Sequence, residues 1–350
     1  MPLVLTDEFL GEGATAKVWL AKFGPTRSEV AAKVVTKATL NGEQLGWIRD
    51  EIAIHKQLRH PHICTLHGAI EDASSITMVL SLCRGGRLER HTNPEADTTR
   101  PLASTAHLRA SQARAPSHLI AGSLCDTMGR ALESQSPLPE DRCRHAYAQL
   151  CGALHYCHRT GVVHRDVKAR RHAPNAPLSP RPPPHTACDL LWMCRSARLR
   201  QLDNLVWADV RETRLQLCDF GYAATANEQR NFAGSPHYAA PEVHLAKEDD
   251  AAPFFAAGAD VWSSGICLFA MLATQLPFGG GEETEEEQSA LAAKVCAGVW
   301  DVQLDDHCSP AAMDLVGRLL RVDPLERCSL DDVCAHDWIG GLDAVPWQAS

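Results

Sequence analysis

The chain has 350 residues, enough for one large two-lobed domain or two ordinary ones. Its hydrophobic fraction of 45% supports a substantial core, and a formal net charge of −9 argues against a general nucleic-acid binder. The 14 cysteines are scattered, lie mostly in apolar patterns and form no CxxC pair, which favours reduced thiols over disulfides or a zinc site.

No basic start followed by an apolar run opens the chain, so no signal peptide is expected. Residues 5–36 alternate apolar and polar positions with glycine interruptions, predicting a strand, turn, strand series. Residues 43–58 read as a helix, with Trp47, Glu51, Ile54 and Leu58 on one stripe. Glu51 is a lone carboxylate in that apolar face. Either it reaches solvent at the helix edge or it meets a buried cation, because an unpaired buried carboxylate is costly. From Ile63 to Cys83 two or three more strands are expected, ending in Arg84-Gly85-Gly86 as a connector. The segment 87–122 is rich in Ala, Arg, Ser, Thr and Pro without apolar periodicity and reads as irregular.

From Pro139 the helical pattern returns. Cys143, Tyr147, Leu150, Cys151, Leu154 and Cys157 recur at helical spacing, with Glu140 and Asp141 in a first turn whose dipole favours them. The segment 169–201 carries Pro174, Pro177, Pro180 and Pro182-Pro183-Pro184, which oppose both helix and sheet. Leu205 to Trp207 and Leu215 to Cys218 read as a small hairpin leading into Asp219. The remainder is helical. Val261 to Leu272 is apolar nearly all round, a buried helix too short to cross a bilayer and carrying Ser263 and Ser264. Ser309-Pro310 and Ser329-x-x-Asp332 have the chemistry of helix starts, and Glu282, Glu283, Glu285, Glu286 and Glu287 that of a solvated loop or helix end.

Two strings carry the chemistry: His164-Arg165-Asp166-Val167-Lys168 and Asp219-Phe220-Gly221. Phosphoryl transfer needs a carboxylate beside the attacking hydroxyl, a cation near the transferring phosphate and a carboxylate to hold Mg²⁺. Asp166, Lys168 and Asp219 are the residue types for those roles. In Leu10-Gly11-Glu12-Gly13-Ala14-Thr15-Ala16-Lys17-Val18, two glycines on a strand turn let backbone N–H groups approach phosphate oxygens. Lys33 closes the run Val30-Ala31-Ala32-Lys33, where a snorkelling edge lysine is the plain alternative to a phosphate ligand paired with Glu51.

Together these blocks resemble eukaryotic Ser/Thr protein kinases over roughly residues 5–340. Gly234-Ser235-Pro236-His237-Tyr238-Ala239-Ala240-Pro241-Glu242 looks like the substrate-docking segment, and Asp260-Val261-Trp262-Ser263-Ser264-Gly265 like the buried helix whose aspartate braces the catalytic loop. Arg327, within Val322-Asp323-Pro324-Leu325-Glu326-Arg327, fits the family's arginine partner of Glu242. Lys168, two residues after Asp166, matches the Ser/Thr form of the catalytic loop. The wording of the 260–265 and 322–327 blocks is most similar to the calcium/calmodulin-dependent and AMP-activated kinase group.

The resemblance implies an α+β, two-lobed fold over 5–345: a β-rich N-lobe (5–82), a hinge (83–86), an irregular insertion (87–122) and a helical C-lobe (123–345) carrying the proline-rich insertion 169–201. It implies ATP and Mg²⁺ as cofactors. ATP would meet Gly11, Gly13, Val18, Ala31, Lys33, Glu51, Ser81, Cys83 and Leu80, the last as gatekeeper. Asp166 would accept the substrate hydroxyl proton or orient that hydroxyl, Lys168 would offset phosphate charge, and Asn204 and Asp219 would hold the metal. Protein substrates with Ser/Thr acceptors are the expected partners of a monomeric cytoplasmic or nuclear protein, with neither nucleic acid nor membrane involved.

Some positions depart from the family. The metal-binding asparagine belongs three residues after Lys168, yet its only suitable context is Leu202-Asp203-Asn204-Leu205, reached directly if residues 169–201 were absent. Likewise Gly85-Gly86 would run into Ser123-Leu124-Cys125-Asp126 if 87–122 were removed. Either the two segments are non-native sequence, such as translated intron, or they are genuine family-specific loops. Two functions follow: a protein Ser/Thr kinase, or a pseudokinase or scaffold that binds nucleotide behind an interrupted catalytic loop. Survival of Lys33, Glu51, Asp166, Lys168, Asn204 and Asp219 together favours the first. Asn231 stands where relatives carry a phosphorylated threonine, so Arg165 lacks the phosphate it commonly binds and no phosphorylation there is expected; Thr225 is a weaker substitute. Asp203 slightly favours basic substrates. Cys218 is expected to line the nucleotide pocket as a small core residue rather than a reactive thiol. No regulatory domain is expected, since the chain ends soon after the last kinase helix.

Overall fold

The computed structural model describes residues 3–12, 15–84, 123–124, 127–128, 131, 138–169, 204–225, 228–229, 232–248, 253–279, 284–301, 304 and 308–340. Gly13, Asp203, Asn231 and nearly all of 87–122 and 169–201 lie outside them, as do Glu282 and Glu283.

Five antiparallel strands build the N-lobe: β1 (Leu3–Glu12), β2 (Ala16–Phe23), β3 (Ser28–Thr36), β4 (Leu66–Glu71) and β5 (Ser75–Ser81), in the order β1-β2-β3-β5-β4. Alternation fixes the faces of β3. Val30 and Ala32 are buried on one face, Lys33 and Val35 share the other, and Lys33 is aligned between Val18 of β2 and Met78 of β5. Helix α1 (Gly42–His55) opens with a capping box, in which the Asn41 side chain accepts from the Gln44 amide and the Gln44 side chain accepts from that of Asn41. It ends at His55, three residues short of the expected boundary. Trp47 is exposed rather than part of the buried stripe, which consists of Glu51, Ile52, Ile54 and His55. The periodicity located the face but overextended it: Leu45 and Ile48 of the first two turns pack on the N-lobe cluster, whereas Trp47 is turned to solvent.

The C-lobe is helical: α2 (Glu140–Arg159), α3 (Pro241–Glu248), α4 (Ala256–Ala273), α5 (Glu285–Ala297), α6 (Pro310–Leu319) and α7 (Leu330–Ala335). Short strands β6 (Leu205–Trp207) and β7 (Leu215–Leu217) pair as the expected hairpin, and β8 (Glu228–Gln229) pairs with β9 (Phe254–Phe255). Ser309 and Ser329 cap α6 and α7, as their chemistry predicts. Glu285, Glu286 and Glu287 occupy the first turn of α5, where the dipole favours them.

Helix α4 is longer than expected, and by length and composition alone it could span a membrane; instead 89% of it is buried inside the protein. Its two serines are paired. Ser263 Oγ donates to the carbonyls of Tyr238 (2.7 Å) and Ala259 (3.0 Å), and Ser264 shares a hydrogen bond with the Tyr147 hydroxyl at 3.1 Å. At Gly265 a Cβ would come within 2.8 Å of Leu319 Cβ, so only glycine lets α4 and α6 approach this closely. Ala169, the first residue of the expected proline-rich insertion, is fully buried in this C-lobe core.

Candidate active site

Two polar clusters face each other where the N-lobe meets the C-lobe. In the first, Lys33 Nζ donates to Glu51 Oε1 at 2.7 Å and to Asp219 Oδ1 at 2.9 Å. Strand β3, helix α1 and the segment after β7 therefore converge on one ammonium. Glu51 is buried, and Lys33 is the cation it meets. Burial disfavours the Lys33 charge, but Asp219 and Glu51 outweigh it and hold the ammonium well above its usual range. Burial also pushes the Glu51 carboxyl upward against the pull of Lys33. Lys33, acting through space and through its hydrogen bond, draws Asp219 down to about 2 against the partial loss of water around its carboxylate.

The second cluster surrounds Asp166. Lys168 Nζ donates to Asp166 Oδ2 at 2.7 Å, and Asn204 Nδ2 donates to the same oxygen at 2.9 Å and to the Asp166 carbonyl at 2.6 Å. Ser235 Oγ donates to Asp166 Oδ1 at 2.9 Å while accepting from Lys168 Nζ at 3.0 Å. A hydroxyl thus already rests between a carboxylate able to take its proton and an ammonium able to balance the resulting charge. Gly234 permits this. Its φ is +93°, and a Cβ there would lie 2.3 Å from the Arg165 carbonyl oxygen.

The loop carrying Asp166 hangs from Asp260 on α4. This buried carboxylate accepts the backbone N–H of His164 and of Arg165, each at 2.8 Å, and is also bonded to His158 Nε2 at 2.9 Å. Burial opposes its ionisation, yet these bonds, led by that from His158, keep its carboxyl below the usual range. His164 Nε2 meets the Cys218 carbonyl at 3.1 Å and Nδ1 meets the Asp166 amide at 3.3 Å, which assigns the proton to Nε2. The two positive-φ residues of the site, Arg165 (68°) and Asp219 (62°), sit at the ends of this brace.

Phe220 is fully buried between two imidazoles, with ring centroids 4.6 Å from His55 and 4.9 Å from His164. It locks Asp219 against both α1 and the catalytic loop. Below, Arg327 makes the expected ion pair with Glu242, two-pronged at 2.7 and 3.0 Å, and also donates to the Gly258 carbonyl and stacks over Trp262.

The apolar positions divide. Val18 and Ala31 pack together with Leu10, Leu20 and Leu82, forming one wall. Leu80 packs instead with Leu66, Ile76 and Met78. The side chains of Ser81 and Cys83 are bonded to His67 and Gln216. Gly11 is buried, paired with Val18 across β1 and β2. Sequence reasoning did not single out Ser235, His55, His158, Leu10 or Leu82. Ser235 and Leu10 had a cue, each lying beside a glycine of a quoted block.

A hard dication fits the donor set. Asn204 Oδ1 is buried and has no hydrogen-bond partner among the described residues, while the Asp219 carboxylate is part exposed. The Asn204 carbonyl accepts the Cys218 amide at 2.8 Å, which brings the two oxygen donors onto adjoining strands of chain.

Comparisons with known proteins agree with this geometry. The protein kinase domain family matches residues 202–339, and the protein tyrosine and serine/threonine kinase family matches residues 4–173. The carbon catabolite-derepressing protein kinase of Candida tropicalis is 28% identical over 333 residues, covering 94% of this chain and 40% of its own length. The maternal embryonic leucine zipper kinase of Xenopus tropicalis is 27% identical over 349 residues, covering 98% and 40%. The human SNF-related serine/threonine-protein kinase is 25% identical over 343 residues, covering 97% and 34%. The chain therefore spans well under half the length of these relatives. On its sheet, its helices and these matches, the chain belongs to the protein kinase family, within reach of the SNF1-related and AMP-activated group.

Proposed function

We propose that this chain transfers the γ-phosphate of Mg·ATP to serine or threonine hydroxyls of proteins. The observation that carries the reading is the Ser235 hydroxyl resting between Asp166 and Lys168, one brace away from the Lys33–Glu51–Asp219 ion pairs. A substrate hydroxyl displacing Ser235 would meet the same two groups. Asp166 would orient it and take its proton, a role worth roughly 10²–10⁴-fold in rate. Lys168 would balance charge growing on the transferring group, and Lys33, held by Glu51, would neutralise the remaining phosphates. Asn204 Oδ1 and the Asp219 carboxylate would hold Mg²⁺, which would supply charge neutralisation at the phosphates. Val18, Ala31, Leu10 and Leu82 would form an apolar wall for the adenine, with Leu80 beside it.

The test is transfer from labelled Mg·ATP to a mixed Ser/Thr peptide library, with Asp166→Asn and Asp219→Asn controls. Transfer lost in both controls supports the reading. Nucleotide binding without transfer in the parent chain would instead make it a scaffold.

A further inference from the structure

Three cysteines from distant parts of the chain meet beside the charged site. Cys64 precedes β4, Cys83 follows β5 in the connector, and Cys218 lies between β7 and Asp219; their Sγ atoms are all within 4.8 Å of one another. None is in a disulfide; Cys64 and Cys83 are buried and Cys218 is half-buried. A tetrahedral site with Zn–S bonds of about 2.3 Å spaces its sulfurs by about 3.8 Å. The trio needs to close by about 1 Å at most to reach that geometry.

A polar group is aimed at the same place. Gln216, itself buried, accepts a hydrogen bond from Cys83 Sγ on Oε1 at 3.3 Å, while its Nε2 donates to the Pro61 carbonyl at 3.1 Å. The Pro61 bond settles which end of the amide faces the sulfurs: it is the oxygen. Such outer bonds orient ligands around metals. Cys64 Sγ also lies 3.6 Å from the Ser81 carbonyl. Three soft sulfurs match the ligand preference of zinc, and the fixed Gln216 oxygen lies 3.3 Å from one of them.

We propose that Cys64, Cys83 and Cys218 bind one thiophilic metal ion of the zinc class, with Gln216 Oε1 nearest the fourth position. Binding exchanges three S–H bonds for three metal–sulfur bonds and releases the protons to solvent; no electron is transferred. The ion would tie the lead-in to β4, the connector and the segment bearing Asp219 to one point. The three positions bear no relation to paired-cysteine spacing, so only the fold reveals them. The site stands whether or not the chain transfers phosphate.

The test uses the reduced, metal-stripped 350-residue chain loaded with Zn²⁺ alone against a competing chelator. One zinc retained per chain, with three sulfur neighbours at about 2.3 Å by X-ray absorption, is expected. Cys64→Ser, Cys83→Ser and Cys218→Ser should each weaken binding by about 100-fold or more, while Cys334→Ser, at an exposed thiol, leaves it unchanged. If a buried variant fails to fold by circular dichroism, the sulfur count of the parent chain decides alone. Zinc held with fewer than three sulfurs, zinc indifferent to the trio, or none retained against the chelator would overturn the proposal.

Discussion

Asn204 donates to the Asp166 carbonyl at 2.6 Å across 38 residues of chain. The bond closes the catalytic loop whatever lies between. Deleting residues 169–201, which puts Asn204 three residues after Lys168, should therefore preserve phosphate transfer to within about tenfold, since the reacting groups keep their positions. Steady-state kinetics of the deletion chain check this. A loss beyond about 10²-fold would mean that the segment itself positions the loop.

The Lys33 ion pairs predict an order of effects. Glu51→Gln leaves Asp219 on the ammonium, so transfer should fall by roughly 10²-fold from misplacement with little loss of melting temperature. Lys33→Met leaves two carboxylates facing each other and should destabilise more. The loss should be about 2–3 kcal/mol, below the range for fully buried pairs because Asp219 is part exposed. Equal unfolding midpoints in denaturant would contradict this.

Asp260→Asn replaces a carboxylate that accepts two consecutive backbone amides. The asparagine keeps one acceptor and turns an NH₂ toward the other N–H, so the loop should shift. A stability loss of about 2 kcal/mol is expected, with kcat reduced more than the KM for ATP. An unchanged kcat would remove Asp260 from the positioning of Asp166.

His55 sets an acid limit. Burial lowers it from 6.5 to about 4, even though Nε2–H is bonded to the Cys64 carbonyl. Unfolded chains take up a proton as pH falls through 6.5, whereas the folded state resists until about 4. Stability from this group is therefore full above pH 6.5 and falls by about 3 kcal/mol on the way to pH 4. His60, also lowered to about 4 by burial, adds in the same direction. His55→Gln should flatten the melting-temperature profile between those pH values; an unaltered slope would assign the effect elsewhere.

Arg327→Lys should cost about 3 kcal/mol, read as a lower unfolding midpoint. A lysine cannot grip both Glu242 oxygens and the Gly258 carbonyl, and it loses the stacking over Trp262. A midpoint equal to that of the parent chain would show the fork to be dispensable.

What the sequence made legible was local or charged. Lys33 and Glu51 explained each other because neither is comfortable buried alone, and Asp166, Lys168 and Asp219 were found through the resemblance of their two strings to kinase motifs. The β6–β7 hairpin and the caps at Ser309 and Ser329 followed from short-range chemistry. The illegible parts depend on closure across the chain. Trp47 shares a helical period with Glu51 but is exposed. Ser235 reaches Asp166 only because Gly234 lets two loops touch, and the imidazoles flanking Phe220 come from segments with no common pattern. Helix α4 begins five residues before its apolar run, where alanines and a glycine carry no periodicity.

The alignment of β3 sets a strict arithmetic. Lys33 points at Glu51 only while it stands between Val18 and Met78. A single-residue slip against either neighbour would turn it to the opposite face of the sheet. The catalytic loop spans its long separation without disturbing its bonds, but this strand cannot absorb one extra residue. Length is tolerated where hydrogen bonds close the loop from outside, and parity is enforced where the pleat itself aims the side chain.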